Sequence, residues 1–276
     1  MTASQPTIAR RSLGRALERH RESNGLTRAQ AGREIGYSGQ TIQRIEEGTQ
    51  ATRSMVVEKL CELYCIKGAE LSHLTTLAVR GKERGWWEPY FDIGAEKTSR
   101  PKIPLFLETE QVALQIRVLE TEVIPGLLQT PEYLRELQDA YLEMPDEVAE
   151  SWRALRTHRQ KLLYNRSPLP EIQFLIGRAA IDYLGEMPPE VREGQLNRLR
   201  EVAARGSAEI KIITRVHAAA SGAFNLLYPG DETPPFVFMD AADGCRYIEQ
   251  PQLVSMYEQT FSSACDRSVP VEEYLR

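Results

Sequence analysis

Apolar residues recur every three or four positions through the first eighty residues, the period of short helices packed on a common core. Ile8, Leu13, Ala16 and Leu17 predict a first helix to about Ser23, with arginines on its outer side and a stop at Asn24-Gly25. Thr27 caps a second helix to about Ile35, and Gly36 makes a turn. Ser38 caps a third that ends at Gly48. Met55, Val56, Leu60 and Leu63 mark the apolar face of a fourth over 53–64; Leu71, Leu74 and Leu77 mark a fifth over 68–79. Residues 1–80 therefore read as an all-α domain, with a frayed polar start over 1–7.

The pattern then changes. Residues 81–104 read as a linker carrying the pair Trp86-Trp87, which adjacent positions would turn toward two different surfaces, with a second loop over 94–104. Residues 105–276 begin with a predicted helix over 106–122. Pro125-Gly126 makes a turn, and Thr130-Pro131 form the N-cap and first position of the next helix. A helix over 146–165 follows, and then the period shortens. Strands are predicted over 172–176, 210–214, 224–228, 236–239 and 245–248, with helices over 191–205 and 252–264. The fold class is thus multidomain, a five-helix unit followed by an α+β domain with a mixed or antiparallel sheet.

Charge sharpens this division. The chain of 276 residues is 42% apolar, enough for two cores, and carries a net charge of −5. Residues 1–80 hold 12 Lys/Arg against 8 Asp/Glu, whereas the remainder holds 22 against 31. A basic head on an acidic body suits a partner of phosphates at one end only. No apolar run follows Arg10 and Arg11 and no stretch is long enough to span a bilayer, so no export, no membrane partner and a cytoplasmic location are expected. Cys61 and Cys65 lie four apart, but no second pair accompanies them and His73 is the only close histidine. Core packing in a reducing compartment is the better reading, and no metal or cofactor is expected.

Residues 25–48 carry the sharpest chemistry. Two capped helices around a glycine turn supply what a helix-turn-helix needs, a second helix free to enter the major groove. Leu26-Thr27, Gly36-Tyr37-Ser38, Thr41 to Glu46 and Gly48 resemble the helix-turn-helix of the Xre/Cro family of repressors. The resemblance implies a core of Ile35, Ile42 and Ile45, with Glu46 and Gly48 closing the recognition helix. Arg28 matches a phosphate-binding position of that family. Ala31 and Gly32 depart from the pattern, which predicts looser packing of the second helix. Near the start of the third helix, Gln40 suits adenine N6 and N7, and Thr41 a thymine methyl or a phosphate. Gln43 and Arg44 follow one turn later, Arg44 for guanine or the backbone. Thr27 and Ser38 head helix N-termini that favour phosphate. The plain alternative for each polar residue is a solvated helix face. One such head makes few base contacts, so a homodimer on an inverted repeat of double-stranded DNA is expected.

The later domain also resembles a known family. Gly85-Trp86-Trp87-Glu88-Pro89-Tyr90, the string Val123 to Tyr133, Arg159-Gln160, Gln195-Leu196 and Gly222-Ala223-Phe224 are similar to the uncharacterised domain DUF5753 that follows an Xre head in many actinobacterial regulators. That resemblance implies a role in sensing or partner binding, and family members are sometimes described as antitoxin-like. A small-molecule effector and a small protein partner both remain open. Trp86, Trp87, Tyr133, Phe224 and Tyr228 would line an apolar pocket with polar points at Gln129 and Arg159; ordinary core packing is the competing reading of each. An enzyme tethered to DNA is the weakest reading. His217, Asp240, Cys245 and Cys265 sit in no nucleophile elbow, P-loop or zinc pattern, so no catalytic residue is assigned.

Overall fold

The computed structural model describes residues 7–83, 85–91, 103–140, 145–219, 222–230, 233–241 and 244–276. They fall into two compact units. The first gathers the described residues of Met1–Glu88, Lys102–Thr109 and Asp231–Thr233; the second takes the rest.

The first unit opens with α1 (Ile8–Ser23), α2 (Arg28–Ile35), α3 (Gly39–Glu46), α4 (Ser54–Leu63) and α5 (Gly68–Arg80). Their apolar stripes meet in one core of Leu13, Leu17, Ala31, Ile35, Ile42, Ile45, Val57, Leu60 and Leu74. Met55, expected on the inner face of α4, is instead 60% exposed. Val56, Val57, Leu60 and Cys61 define the buried face, and at 100° per residue Met55 falls almost opposite Val57. Cys61 is buried as expected, and burial pushes its thiol up to about 11, far from reactive thiolate. Cys65 departs from the expected core packing: it is exposed and left-handed just past α4 (φ 60°).

The short helix α6 (Glu88–Phe91) follows. Most of the loop expected over 94–104 lies outside the described residues. The chain resumes in α7 (Ile103–Val112), whose Glu108 belongs to the first unit and seats the start of α1 there. Its carboxylate accepts Ile8 N–H at 2.7 Å and the Trp87 indole N–H at 3.0 Å. Burial raises the Glu108 carboxyl above its usual range, while these two donors and nearby Arg10 oppose the shift.

The helix expected over 106–122 stops ten residues early. Gln115–Glu120 is a strand, β1, in the middle of the sheet. Ile116 and Val118 point to one face and Arg117 and Leu119 to the other, a period of two that a six-residue run between apolar helix residues conceals.

The second unit continues with α8 (Pro131–Asp139), α9 (Asp146–Tyr164), β2 (Glu171–Gly177), α10 (Arg178–Asp182), a 3₁₀ turn, α11 (Pro189–Ala204) and β3 (Glu209–Ile213). Then come β4 (Phe224–Tyr228), β5 (Phe236–Ala241), β6 (Gly244–Ile248), α12 (Pro251–Cys265), β7 (Ser268–Pro270) and α13 (Val271–Tyr274). The strands form one mixed sheet in the order β6-β5-β4-β1-β2-β3-β7. β1, β2 and β3 run parallel, and antiparallel partners flank them on both sides. Ile116, Val118, Ile172, Phe174, Ile176, Ile210 and Ile212 bury one face with Leu163, Leu199 and Val202 from α9 and α11. Leu119, Leu175, Ile213, Phe224, Leu226 and Val237 bury the other under Val254, Phe261 and Ala264 of α12. Both faces are covered, as a parallel centre requires.

Glu120 ends β1 on the first of these faces. Burial pushes its carboxyl up to about 7 against the opposing pull of Arg156. Between its ordinary value and about 7, the folded state therefore keeps a proton that the unfolded state releases. Stability should fall as pH rises through that interval, and Glu120→Gln should remove this part of the slope. Urea titrations of both proteins at about pH 5 and about pH 8 check it; parallel pH slopes would refute the assignment.

Candidate nucleic-acid interface

The turn between α2 and α3 is built by three caps. Thr27 Oγ1 accepts Gln30 N–H at 3.2 Å while the Gln30 side chain accepts Thr27 N–H at 2.8 Å, a reciprocal capping box. Gly36 closes α2 in the left-handed region (φ 80°), and Tyr37 N–H returns to Gly32 O at 2.7 Å. Ser38 then starts α3 by accepting Thr41 N–H at 3.1 Å.

Gly32 makes this turn tight rather than loose. A Cβ there would lie 2.6 Å from Tyr37 O and about as close to Ser38. Ala31 beside it is fully buried. The small pair thus lets the start of α3 press onto α2, which corrects the expectation of looser packing. Gly14 does the same between α1 and the end of α3, where a Cβ would meet Glu46 O at 2.2 Å.

An ion network fixes α3 from inside. Glu46 is 4% exposed on the inner side of α3. It accepts Arg21 Nε of α1 at 2.6 Å, Arg21 Nη2 at 3.2 Å and Arg28 Nε of α2 at 2.6 Å. Arg28 Nη2 also donates to Glu18 at 2.6 Å. The hydrogen bonds to Glu46, with its charge behind them, raise both guanidinium groups further above their ordinary range. A phosphate at Arg28 would have to compete with these two carboxylates. The sequence reading missed Arg21 and Glu18; only their placement one turn apart on α1 hinted at it.

The outer side of α3 carries Gln40, Gln43 and Arg44, all exposed, with Thr41 half-buried. Thr41 Oγ1 bonds Ser38 Oγ at 2.9 Å. Gln43 Nε2 donates to Glu47 at 2.7 Å, leaving its carbonyl oxygen outward. The side chains of Gln40 and Arg44 have no partner among the described residues. Tyr37, 41% exposed in the turn, stands beside this row and was not singled out by pattern.

Of the seven residues proposed for an apolar effector pocket, the five that lie in the second unit are not gathered in one place. Trp86 and Trp87 belong to the first unit. In the second, Tyr133 packs in the core under one sheet face, its hydroxyl accepting Ile124 N–H at 3.1 Å. Phe224 and Tyr228 lie on the opposite face, because 224, 226 and 228 alternate away from it. Phe224 stacks edge-on against Tyr257, and Tyr228 donates to Glu258 at 2.8 Å. Gln129 holds Ile124 O at 2.7 Å and accepts from Arg156; Arg159 pairs with Glu110 through two 2.6 Å bonds. Gln129 and Arg159 are thus structural ties of their own loop and helix. Of the four side chains weighed for catalysis, the Cys245 thiol contacts Asp240 at 3.7 Å, the Cys265 thiol meets Lys211 Nζ at 3.4 Å, and His217 Nδ1 accepts Ala219 N–H at 3.2 Å. Among the described residues no cluster of His, Cys, Asp and Glu is suited to a metal.

A helix-turn-helix domain profile matches residues 12–74. The profile of a domain of unknown function, DUF5753, matches residues 103–275, more than half of the chain. No curated protein and no solved structure matches it.

Two substitutions test the packing of the head. Helix propensity alone predicts that Gly32→Ala stabilises by about 1 kcal/mol. The contact with Tyr37 O predicts instead a loss of about 1–3 kcal/mol. Glu46→Gln should cost about 3 kcal/mol, because it removes the buried counter-charge of Arg21 and leaves it only the longer, more exposed contacts with Glu22 and Glu18. Denaturant melts of the full chain decide both; a stabilised Gly32→Ala would contradict the close approach.

Proposed function

This chain belongs to the DUF5753 family, and we propose that it is a sequence-specific DNA-binding transcriptional regulator whose second unit senses an effector. The observation that carries the reading is the outer row of α3. Among the described residues Gln40 and Arg44 stand exposed without partners, on a helix held from inside by Glu46. Polar side chains with such freedom, on a helix presented by a capped turn, suit base edges in the major groove. Gln40 is the adenine reader and Arg44 the guanine or backbone contact. Gln43 adds its outward carbonyl, which accepts from a base amino group. Thr41 contacts a thymine methyl or a phosphate, and the starts of α2 and α3 at Thr27 and Ser38 face phosphate. Arg28 serves first as the clamp on Glu46, with any phosphate contact secondary.

The basic excess of residues 1–80 adds the sequence-independent attraction that brings the head to DNA. One α3 reaches few base pairs, so the working form is a homodimer on an inverted repeat. Among the described residues no helix is long and apolar enough to cross a membrane. The regulator operates in the cytoplasm. The second unit biases DNA affinity by binding an effector better in one conformation than in the other.

Gln40→Ala should lower affinity by about 1–3 kcal/mol at one base pair and abolish discrimination there. Gel shifts over single-base variants of a bound duplex measure it. Discrimination identical to the parent protein at every position would overturn the assignment of Gln40.

A further inference from the structure

The second unit is acidic as a whole, yet one of its clefts is lined only by neutral and basic residues. Its residues, 89–101, 110–230 and 234–276, carry 19 Lys/Arg against 26 Asp/Glu. The cleft is about 720 Å³ and runs along one side of α9. Ala154, His158, Lys161, Leu162 and Asn165 recur there at helical spacing, with Tyr90 of α6 as the facing wall and Arg166 at the end. The volume falls within the range of roughly 300–1,000 Å³ typical of small-molecule sites.

The walls are held in place. Tyr90 O accepts Ser151 Oγ–H at 2.8 Å, and the neighbouring Phe91 ring packs against Trp152 at 5.8 Å between centroids. The Tyr90 hydroxyl and His158 Nδ1 lie 2.6 Å apart, with the two rings edge to face. Arg166 is fixed by donating Nη1 to Ala113 O at 2.8 Å and Glu110 O at 3.3 Å.

These ties leave positive charge uncompensated. Arg166 is bound only by carbonyl oxygens, and neither it nor Lys161 meets a carboxylate among the described residues. Burial lowers the Arg166 guanidinium below its ordinary value, with no counter-charge to restore it. A partly desolvated cation held without an anion is costly, and a bound anion relieves that cost. The Tyr90 ring and the Leu162 side chain add an apolar wall on the same cleft.

We infer that this cleft binds a small organic anion, a carboxylate, sulfonate or phosphate ester with an aromatic or aliphatic body, placing the acid on Lys161 and Arg166 and the body between Tyr90 and Leu162. The inference rests on the effector-sensing reading of the second unit and gives it a location, along α9. It favours a small molecule, because the cleft, although open, is of ligand size.

The test is a fluorescence titration of the full chain, without DNA, with 8-anilinonaphthalene-1-sulfonate and its uncharged relative N-phenyl-1-naphthylamine. The sulfonate should saturate at one equivalent and bind at least about ten-fold more tightly than the neutral compound. Lys161→Glu, on an exposed helix position, should weaken it by about ten-fold or more with an unchanged melting temperature. Leu162→Asp should weaken it as well and gives a second reading should Lys161→Glu melt early. Equal affinity in the parent protein and both variants, or a neutral compound that binds as tightly, would overturn the site. Because DNA is absent, this result is independent of whether α3 reads an operator.

Discussion

The disposition of the recognition helix depends on one buried carboxylate. Glu46 sits near the end of α3 and gathers Arg21 of α1 and Arg28 of α2 around a carboxylate with almost no water access, Arg21 buried with it and Arg28 reaching in from the surface. Hydrophobic contacts of Ile42 and Ile45 bring α3 to the core, but they are non-directional and tolerate rotation. The hydrogen bonds to Glu46 have direction. They fix which residues of α3 face inward, and so which face outward. A buried ion pair is weak evidence for added stability, since desolvation offsets much of the attraction. Its consequence here is a single orientation for α3. Gly14 and Gly32 complete it by letting α1 and α2 approach the two ends of α3 where any Cβ would collide with backbone.

The same economy of fixed polar groups governs the second unit. The string from Val123 to Tyr133, the most specific feature of the chain for its family, forms the loop after the central strand β1 and the first turn of α8. Its carbonyls at Ile124, Gly126, Leu128 and Gln129 accept side-chain amides from Gln129, Gln160 and Gln195, and Gln195 takes Thr130 N–H in return. Irregular backbone buried at the end of a sheet needs such partners for every polar group. The string is therefore explained by folding, without a ligand. Among the described residues, Lys161 near the end of α9 and Arg166 just past it meet no carboxylate.

The caps of the head were legible in the sequence because each is local. Thr27, Gly36 and Ser38 act on neighbours within a few positions, and so does Thr130 at the start of α8. The strands β2 to β6 were legible from alternation and turn residues. β1 was not, because Gln115–Glu120 follows an apolar helix with no glycine or proline between them, and a short apolar run fits either period. Met55 was misplaced by one helical step. Gly32 was read through its intrinsic helix propensity, whereas its role is a contact with Tyr37 five residues on. The row Gln40, Thr41, Gln43 and Arg44 was legible as a row. Which members are free was not, because that depends on Glu47 holding Gln43 and Ser38 holding Thr41. That Tyr133 parts from Phe224 and Tyr228 was hidden for a related reason, since sheet faces are decided by pairing register.

The central claim is that α3, held by Glu46, reads base sequence through its outer row. Selection of bound duplexes from a randomised pool by the full chain tests it most directly, run beside a Gln40→Ala/Arg44→Ala variant. The account predicts an enriched inverted repeat for the parent protein. For the variant, which should melt like the parent, it predicts enrichment lost at symmetric positions of each half-site. A pool that stays random with the parent protein, or the same motif recovered at full strength by the variant, would contradict it.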